Sequence, residues 1–266
     1  FDKSKKTTLV HKSDLFKNID GIKFLTHESG CGENKDESDN LCSLLAGYCL
    51  NPNVGGITIL SLGCQNSQIS LFQQKLNEKD PNFSKPLYIF EQQQDEGSGV
   101  EQMLSEVIHK TFEGLIEINK CQRSPAPLSK LRVGVKCGGS DGFSGISANP
   151  AIGHTADLIV SLGGTVMIAE FPELCGVEQE LQNRSINNQV ADDFGLMMRE
   201  YAKRAAAVGA GFDMNPSPGN IKDGLITDAI KSAGAAKKAG SSPIVDSLGY
   251  GKYVTKSGLN LVCTPG

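Results

Sequence analysis

The sequence predicts an α/β fold, a mostly parallel sheet with flanking helices of the Rossmann-like kind, with room for two α/β subdomains. Three observations carry that expectation. Short continuous apolar runs, the pattern of strands buried on both faces, alternate with longer segments of helical periodicity. Glycine is frequent, 30 of 266 residues, while aromatic residues make up only 6% and tryptophan is absent. That balance suits loops whose backbone approaches something closely, rather than an all-β sandwich. A break at residues 121–129, carrying Pro125 and Pro127, separates a first half from a more glycine-rich second half.

Taken in order, the strand candidates are 22–26, 57–62, 87–91, 131–135 and 165–169. Between them run helical patterns at 37–51, 65–78, 99–120 and 151–162. After Leu181 a long helix is expected over 188–208, with Met197, Met198, Ala202 and Ala205 at helical spacing. A turn, Asn215-Pro-Ser-Pro-Gly-Asn220, precedes a last helix running through Ala239. The subdomains implied are 1–122 and 130–266. Residue 1 is Phe, and the chain stops at Gly266 just after an apolar, strand-like pair of leucines, so it reads as a fragment of a longer chain.

Charge and hydropathy exclude several classes. A net charge of −4 without a Lys/Arg cluster argues against nucleic-acid binding. No apolar run approaches the roughly 18 residues of a membrane span, and no signal-peptide pattern opens the chain. A cytoplasmic protein is expected. The 8 cysteines sit in a chain long enough to bury a core without disulfides. Cys42 and Cys49, seven apart in a leucine-rich helical stretch, and Cys121 and Cys263 read as inert thiols. Cys31, Cys64 and Cys137 differ, since each lies beside glycine after an apolar run.

In an open parallel sheet, ligands sit beyond the carboxyl ends of the strands. The loops expected there are 26–32 with His27 and Cys31, 63–66 with Cys64, 91–94 with its glutamines, 136–145, and 170–176 with Glu170, Glu173 and Cys175. Thiolates, an imidazole and carboxylates on one edge could hold a transition metal; small cysteines packed where strands meet helices are the plainer alternative. His11, His109 and His154 read as structural. The run Gly138-Gly-Ser-Asp-Gly-Phe-Ser-Gly145 is the densest signal, because consecutive glycine N–H groups can converge on an anion and Ser140, Asp141 and Ser144 add polar side chains. It lacks the Lys-Ser/Thr ending of a phosphate-binding loop, so a carboxylate or polyol fits better than a nucleotide. Glu170 closes an apolar strand, which suits proton transfer or metal ligation.

With these residues in view, the sequence resembles the altronate/galactarate dehydratase family of sugar-acid dehydratases, which also includes sulfolactate sulfo-lyase large subunits. The likeness rests on Lys136-Cys-Gly-Gly-Ser-Asp-Gly-Phe-Ser-Gly-Ile-Ser-Ala-Asn-Pro150, on Ala169-Glu-Phe-Pro-Glu-Leu-Cys-Gly176 and on Asn215-Pro-Ser-Pro-Gly-Asn220. It continues through His27, Gly30-Cys31, Pro52-Asn-Val-Gly-Gly56, Gly63-Cys64 and Gly258-Leu-Asn-Leu261. One departure is Gln65, where many relatives carry Glu. The resemblance implies a hydro-lyase that removes water from a six-carbon aldonic acid such as D-altronate, with Fe2+ or Mn2+ as cofactor. Galactarate as substrate, sulfite elimination from a sulfonated hydroxy acid, and a non-catalytic sugar-acid-binding domain are the alternatives.

On that reading the metal ligands are Cys64, Cys137, His27 and Cys31. The substrate is held by Lys136, Gly138, Gly139, Ser140, Asp141, Asn215 and Ser217. Glu170, Glu173 or His27 supplies the catalytic base. The partners expected are a small-molecule sugar acid and, as an option, further copies of the chain in a homo-oligomer, with no nucleic acid and no membrane.

Overall fold

The structure, a computed structural model, describes residues 15–93 and 99–264. His11, Gln94 and the final pair 265–266 lie outside the described residues. The chain divides into two compact units, Phe1–Ser124 and Pro125–Gly266.

The first unit contains α1 (Lys35–Leu50), β1 (Ile57–Ser61), α2 (Ile69–Lys79), β2 (Leu87–Glu91) and α3 (Val100–Ile118). A capping box starts α1: the Asn34 side chain accepts from the Glu37 N–H at 3.0 Å, and Glu37 accepts from the Asn34 N–H at 2.9 Å. β1 and β2 pair in parallel, from Ile57 opposite Leu87 to Ser61 opposite Glu91. Cys42, Ala46 and Cys49 on one face of α1 pack against Phe72 and Leu76 of α2. Burial, then the nearby Glu33 and Asp39 carboxylates, pushes the Cys42 thiol up to about 11, so it stays un-ionised. Both helical cysteines are core residues.

The expected strand at 22–26 does not form. The segment joins no ladder among the described residues, and Phe24 and Leu25 are 67% and 55% exposed. A five-residue apolar run is ambiguous by pattern alone, and only a neighbouring strand makes it a strand. Cys31 therefore follows no strand; it lies in the turn that feeds α1.

The second unit is a four-stranded sheet in the order β3-β4-β6-β5, built from β3 (Arg132–Val135), β4 (Thr165–Ile168), β5 (Ile244–Leu248) and β6 (Gly258–Val262). All three pairings are parallel. Its helices are α4 (Asn149–Ser161), α5 (Glu178–Asn183), α6 (Asn188–Ala207), α7 (Pro218–Lys222) and α8 (Asp228–Ala236). Val166, Ile168, Leu259 and Leu261 lie at the sheet centre, and Phe171 meets Phe194 edge to face at 5.0 Å between ring centroids. β5 and α5 go beyond the sequence expectation, while β6 takes in the strand-like pair Leu259 and Leu261. Asn260 is fully buried within β6, and its Nδ2 donates to the carbonyls of Lys256 and Gly258. That polar residue and Asp246 interrupt what would otherwise read as apolar strands. Among the described residues no helix is long and apolar enough to cross a membrane.

Two backbone approaches position the elements that matter below. A π-helical turn, Ser144–Ala148, leads into α4, and its Gly145 lies so near α8 that a Cβ there would stand 3.0 Å from the Gly234 Cα. On α4, a Cβ at Gly153 would overlap the Lys237 carbonyl oxygen and crowd the Gly240 nitrogen at 2.9 Å. Asp157 fastens the same turn, accepting from the N–H groups of Ser241 and Ser242 at 2.9 Å each and from both hydroxyls.

Gly153→Ala should destabilise the fold by about 1–3 kcal/mol, because the added methyl must displace backbone rather than a flexible side chain; urea denaturation measures it. For Asp157, burial pushes the carboxyl up, but the hydrogen bonds from Ser242 and Ser241 outweigh that and leave it below its ordinary value. A depressed folded-state pKa stabilises fully above the unfolded value and is lost as pH falls through the folded one. Asp157→Asn should therefore cost about 1–2 kcal/mol at neutral pH. The gap in melting temperature from wild type should hold above about pH 5 and close on acidification below about pH 4. A gap that stays constant into strong acid would refute the charge-assisted anchor.

Candidate active site

β3 and β4 are parallel neighbours, so the loops leaving their carboxyl ends emerge side by side. The first delivers Lys136 and Cys137, the second Glu170. Glu170 has φ 67° and ψ 69°, and among the described residues no other non-glycine has a positive φ. A left-handed non-glycine residue costs roughly 1–2 kcal/mol and persists only when its surroundings hold it. Here they do. The Glu170 N–H donates to the Thr264 hydroxyl at 2.8 Å, its Oε2 accepts from the Cys137 N–H, and its Oε1 lies 3.5 Å from the Lys136 ammonium. Glu170 is buried, and both its oxygens serve to tie one loop to the other.

The glycine-rich loop then folds on itself. Cys137 Sγ is hydrogen-bonded to the Ser140 hydroxyl. Asp141 Oδ1 accepts from the Ser144 N–H at 2.8 Å and its hydroxyl at 3.0 Å, which holds the Asp141 carboxyl below the usual range. A Cβ at Gly138 or Gly139 would meet nothing within 4 Å, so packing does not account for either glycine.

Beside this loop runs a polar chain. Glu173, on the 3-10 turn Phe171–Leu174, pairs with Lys231 of α8 at 3.1 Å. Lys231 also donates to Asn215 Oδ1 and, at 3.1 Å, to Asn220 Oδ1. Asn215 Nδ2 reaches Glu173 Oε1 at 3.5 Å, and Asn220 Nδ2 donates to the Ser140 carbonyl at 3.2 Å. Exposed Ser217 caps α7 in a reciprocal box with Asn220, so its role is to hold that asparagine. These residues close around a narrow cleft holding about 20 Å³ open to water, lined by Cys137, Ser140, Asp141, Glu173, Lys231 and Lys238 among others. Glu173 Oε2 is buried without a hydrogen-bond partner among the described residues.

In the first unit the loops carrying Cys31 and Cys64 meet through Asn66, whose Nδ2 donates to the carbonyls of Cys31 at 3.1 Å and Glu33 at 2.7 Å. His27, Cys31 and Cys64 are exposed. Gln65 locks the turn after β1, accepting from the Gly63 N–H at 2.9 Å and donating to Ser61 Oγ at 2.5 Å. A glutamate there would keep the second contact only by accepting from the Ser61 hydroxyl. A larger hollow of about 590 Å³, lined by Gln68, Phe90, Met103 and Glu106 among others, takes in no residue expected at the site. Among the described residues, no group of three His, Cys, Asp or Glu side chains could hold a metal ion. The donors of the second unit thus do not form a ready ligand set.

The structure brings Cys137, Ser140, Asp141, Glu170, Glu173 and Asn215 together, with Lys136 bridged to Glu170 and Ser217 one step removed. Sequence reasoning misses Lys231, Lys238 and Asn220. A signal exists for the lysines: they stand seven apart in a segment that, Lys237 aside, is otherwise made of Ser, Ala and Gly.

Comparison with known proteins gives the family. Residues 128–266 match the family described as D-galactarate/Altronate dehydratase, C-terminal, and residues 3–119 match D-galactarate dehydratase/Altronate hydrolase, second domain. Altronate dehydratase of Escherichia coli (strain K12) is 35% identical over 248 residues, which cover 93% of this chain and 48% of the relative. Altronate dehydratase of Bacillus subtilis (strain 168) is 34% identical over the same shares. Galactarate dehydratase (L-threo-forming) of Escherichia coli (strain K12) is 35% identical over 217 residues, 81% of this chain and 42% of the relative. The chain spans about half the length of the curated relatives it matches. It belongs to the D-galactarate/altronate dehydratase family.

Proposed function

We propose that the protein carrying this chain is a hydro-lyase that removes water from a sugar acid, D-altronate in the first instance, to give 2-keto-3-deoxy-D-gluconate. The observation that carries the reading is Glu173, a carboxylate lining the charged cleft with one buried oxygen unpartnered. The names of the relatives support the substrate class. The cleft is too small for a whole six-carbon acid, so it takes the carboxylate end, with the rest of the chain outside.

In the reaction, Glu173 takes the proton from C2, the electron pair becomes the C2=C3 bond, and the C3 hydroxyl leaves with a proton as water. The enol that remains tautomerises to the 2-keto acid. A base in position is commonly worth ~10²–10⁴-fold. Lys231, at 3.1 Å, orients Glu173. Glu170, with both oxygens engaged, shapes the loop of Cys137 to Asp141. Lys136, Ser140, Asp141 and Asn215, with the open backbone of Gly138 and Gly139, are the groups offered to the hydroxyls.

A divalent ion, Fe2+ or Mn2+, belongs to the proposal on the resemblance alone, with Cys137, Cys64, Cys31 and His27 as the donors to test; it would spread the charge that gathers on the substrate carboxylate. No step above is routed through it. A cytoplasmic location and a homo-oligomeric state are part of the same proposal. Galactarate is the second substrate to try, given the galactarate dehydratase relative.

Glu173→Gln, isosteric and still able to accept from Lys231, should lower kcat on D-altronate by ~10²–10⁴-fold with little change in KM. Measured 2-keto acid formation checks it, and D-altronate deuterated at C2 should show a primary isotope effect in wild type. An unchanged kcat in the variant would remove Glu173 from the chemistry.

A further inference from the structure

Two lysine ammoniums line the cleft, and only one has a counter-charge. Lys231 is bonded to Glu173, Asn215 and Asn220. Lys238 is 4% exposed, more deeply buried than Lys231, and among the described residues nothing gives its ammonium an ion pair or a hydrogen bond. Burying a cation without an anion is costly, and proteins ordinarily avoid it by letting the long side chain reach water. Here the little of Lys238 that stays accessible is at the cleft wall. Lys238 sits on the 3-10 turn Lys237–Ala239, whose neighbouring carbonyl is pressed against Gly153 of α4, and the Asp157 bonds to Ser241 and Ser242 fasten the turn from its other end. The charge is held at the cleft wall.

The remaining charges of the cleft define the missing anion. Asp141 is committed to Ser144 and Glu173 to Lys231. Together with the two lysines they leave the lining neutral, with Lys238 as its unmatched positive point. The cleft is narrow, about 20 Å³ open to water, so a small head group is all it takes in. Ser140 stands on the same lining to meet the adjacent hydroxyl.

We propose that Lys238 is the counter-ion of the substrate carboxylate, the point charge toward which negative charge moves when the proton leaves C2. The proposal rests on the dehydratase reading for the identity of the substrate, and on the unpaired buried ammonium for the site. Lys238 is thus a substrate-binding residue that sits apart from the glycine-rich loop and contributes most as the transition state is approached.

The test compares wild type, Lys238→Met and Lys238→Arg in the full-length protein. For D-altronate, kcat/KM should fall about 10²-fold or more in Lys238→Met and recover in part in Lys238→Arg. Without ligand, Lys238→Met should melt close to wild type, since a methionine fills similar space and the ammonium has no protein partner to lose. Glycolate is the binding probe, by calorimetric titration: wild type should bind it, Lys238→Met at least about tenfold more weakly, while uncharged glycolamide should not distinguish them. Equal glycolate binding by wild type and Lys238→Met, or a lower melting temperature with unchanged kcat/KM, overturns the assignment. Glycolate binding that depends on Lys238 in a protein that turns over no sugar acid upholds the carboxylate site and defeats the dehydratase reading instead.

Discussion

The arrangement of the second unit depends on how closely backbone can approach backbone along α4 and α8. At Gly145 against Gly234, and at Gly153 against the Lys237 carbonyl, there is no space for even a methyl group. Those two approaches set the depth at which α8 and its following turn lie beneath the 138–148 segment. They fix where Lys231 and Lys238 end up. A side chain at any of these glycines would lift α8 outward and move both lysines from their places on the cleft wall. The electrostatics of the cleft are therefore a consequence of missing side chains as much as of those present.

Glu170 plays a comparable part at the sheet edge. The left-handed backbone costs it energy, and three attachments compensate: Thr264 on its N–H, Cys137 and Lys136 on its carboxylate. The sequence expectation gave this residue a chemical role on the ground that it closes an apolar strand. The structure shows it joining the ends of β3 and β4 to the segment after β6, while the carboxylate with an oxygen to spare is Glu173, three residues on.

How much of this was legible beforehand follows the range of the interactions involved. The α/β class, the parallel strands of the two sheets at 57–61, 87–91, 132–135 and 165–168, and the loop from Lys136 to Pro150 are local patterns, and they read correctly. The run 22–26 misled because an apolar pentapeptide says nothing about whether a partner strand exists. β5 escaped because Asp246 breaks its apolar continuity, and β6 showed only as a strand-like pair of leucines around Asn260, whose Nδ2 donates to the carbonyls of Lys256 and Gly258 while its Oδ1 is buried without a partner among the described residues. Lys231 and Lys238 escaped because a lysine in an Ala/Gly helix ordinarily faces water. What buries them is a contact between residues about ninety positions apart, and no window along the chain contains both sides of it.

The strand order has a bearing on how the unit comes into being. β6 lies between β4 and β5, so the last strand in sequence is an interior strand of the sheet. During synthesis β3 and β4 can pair early, but β4 presents an open edge, and β5 has no sheet to join, until residues 258–262 have left the ribosome. Thr264, which holds the Glu170 backbone, follows immediately after. Long-range parallel pairing of this kind is slow, and an unpaired hydrophobic edge is exposed while it waits. The cleft is thus assembled only after residue 258 has joined the sheet, and a nascent chain stalled before it would carry every residue of the glycine-rich loop yet would lack the central strand that sets them in place.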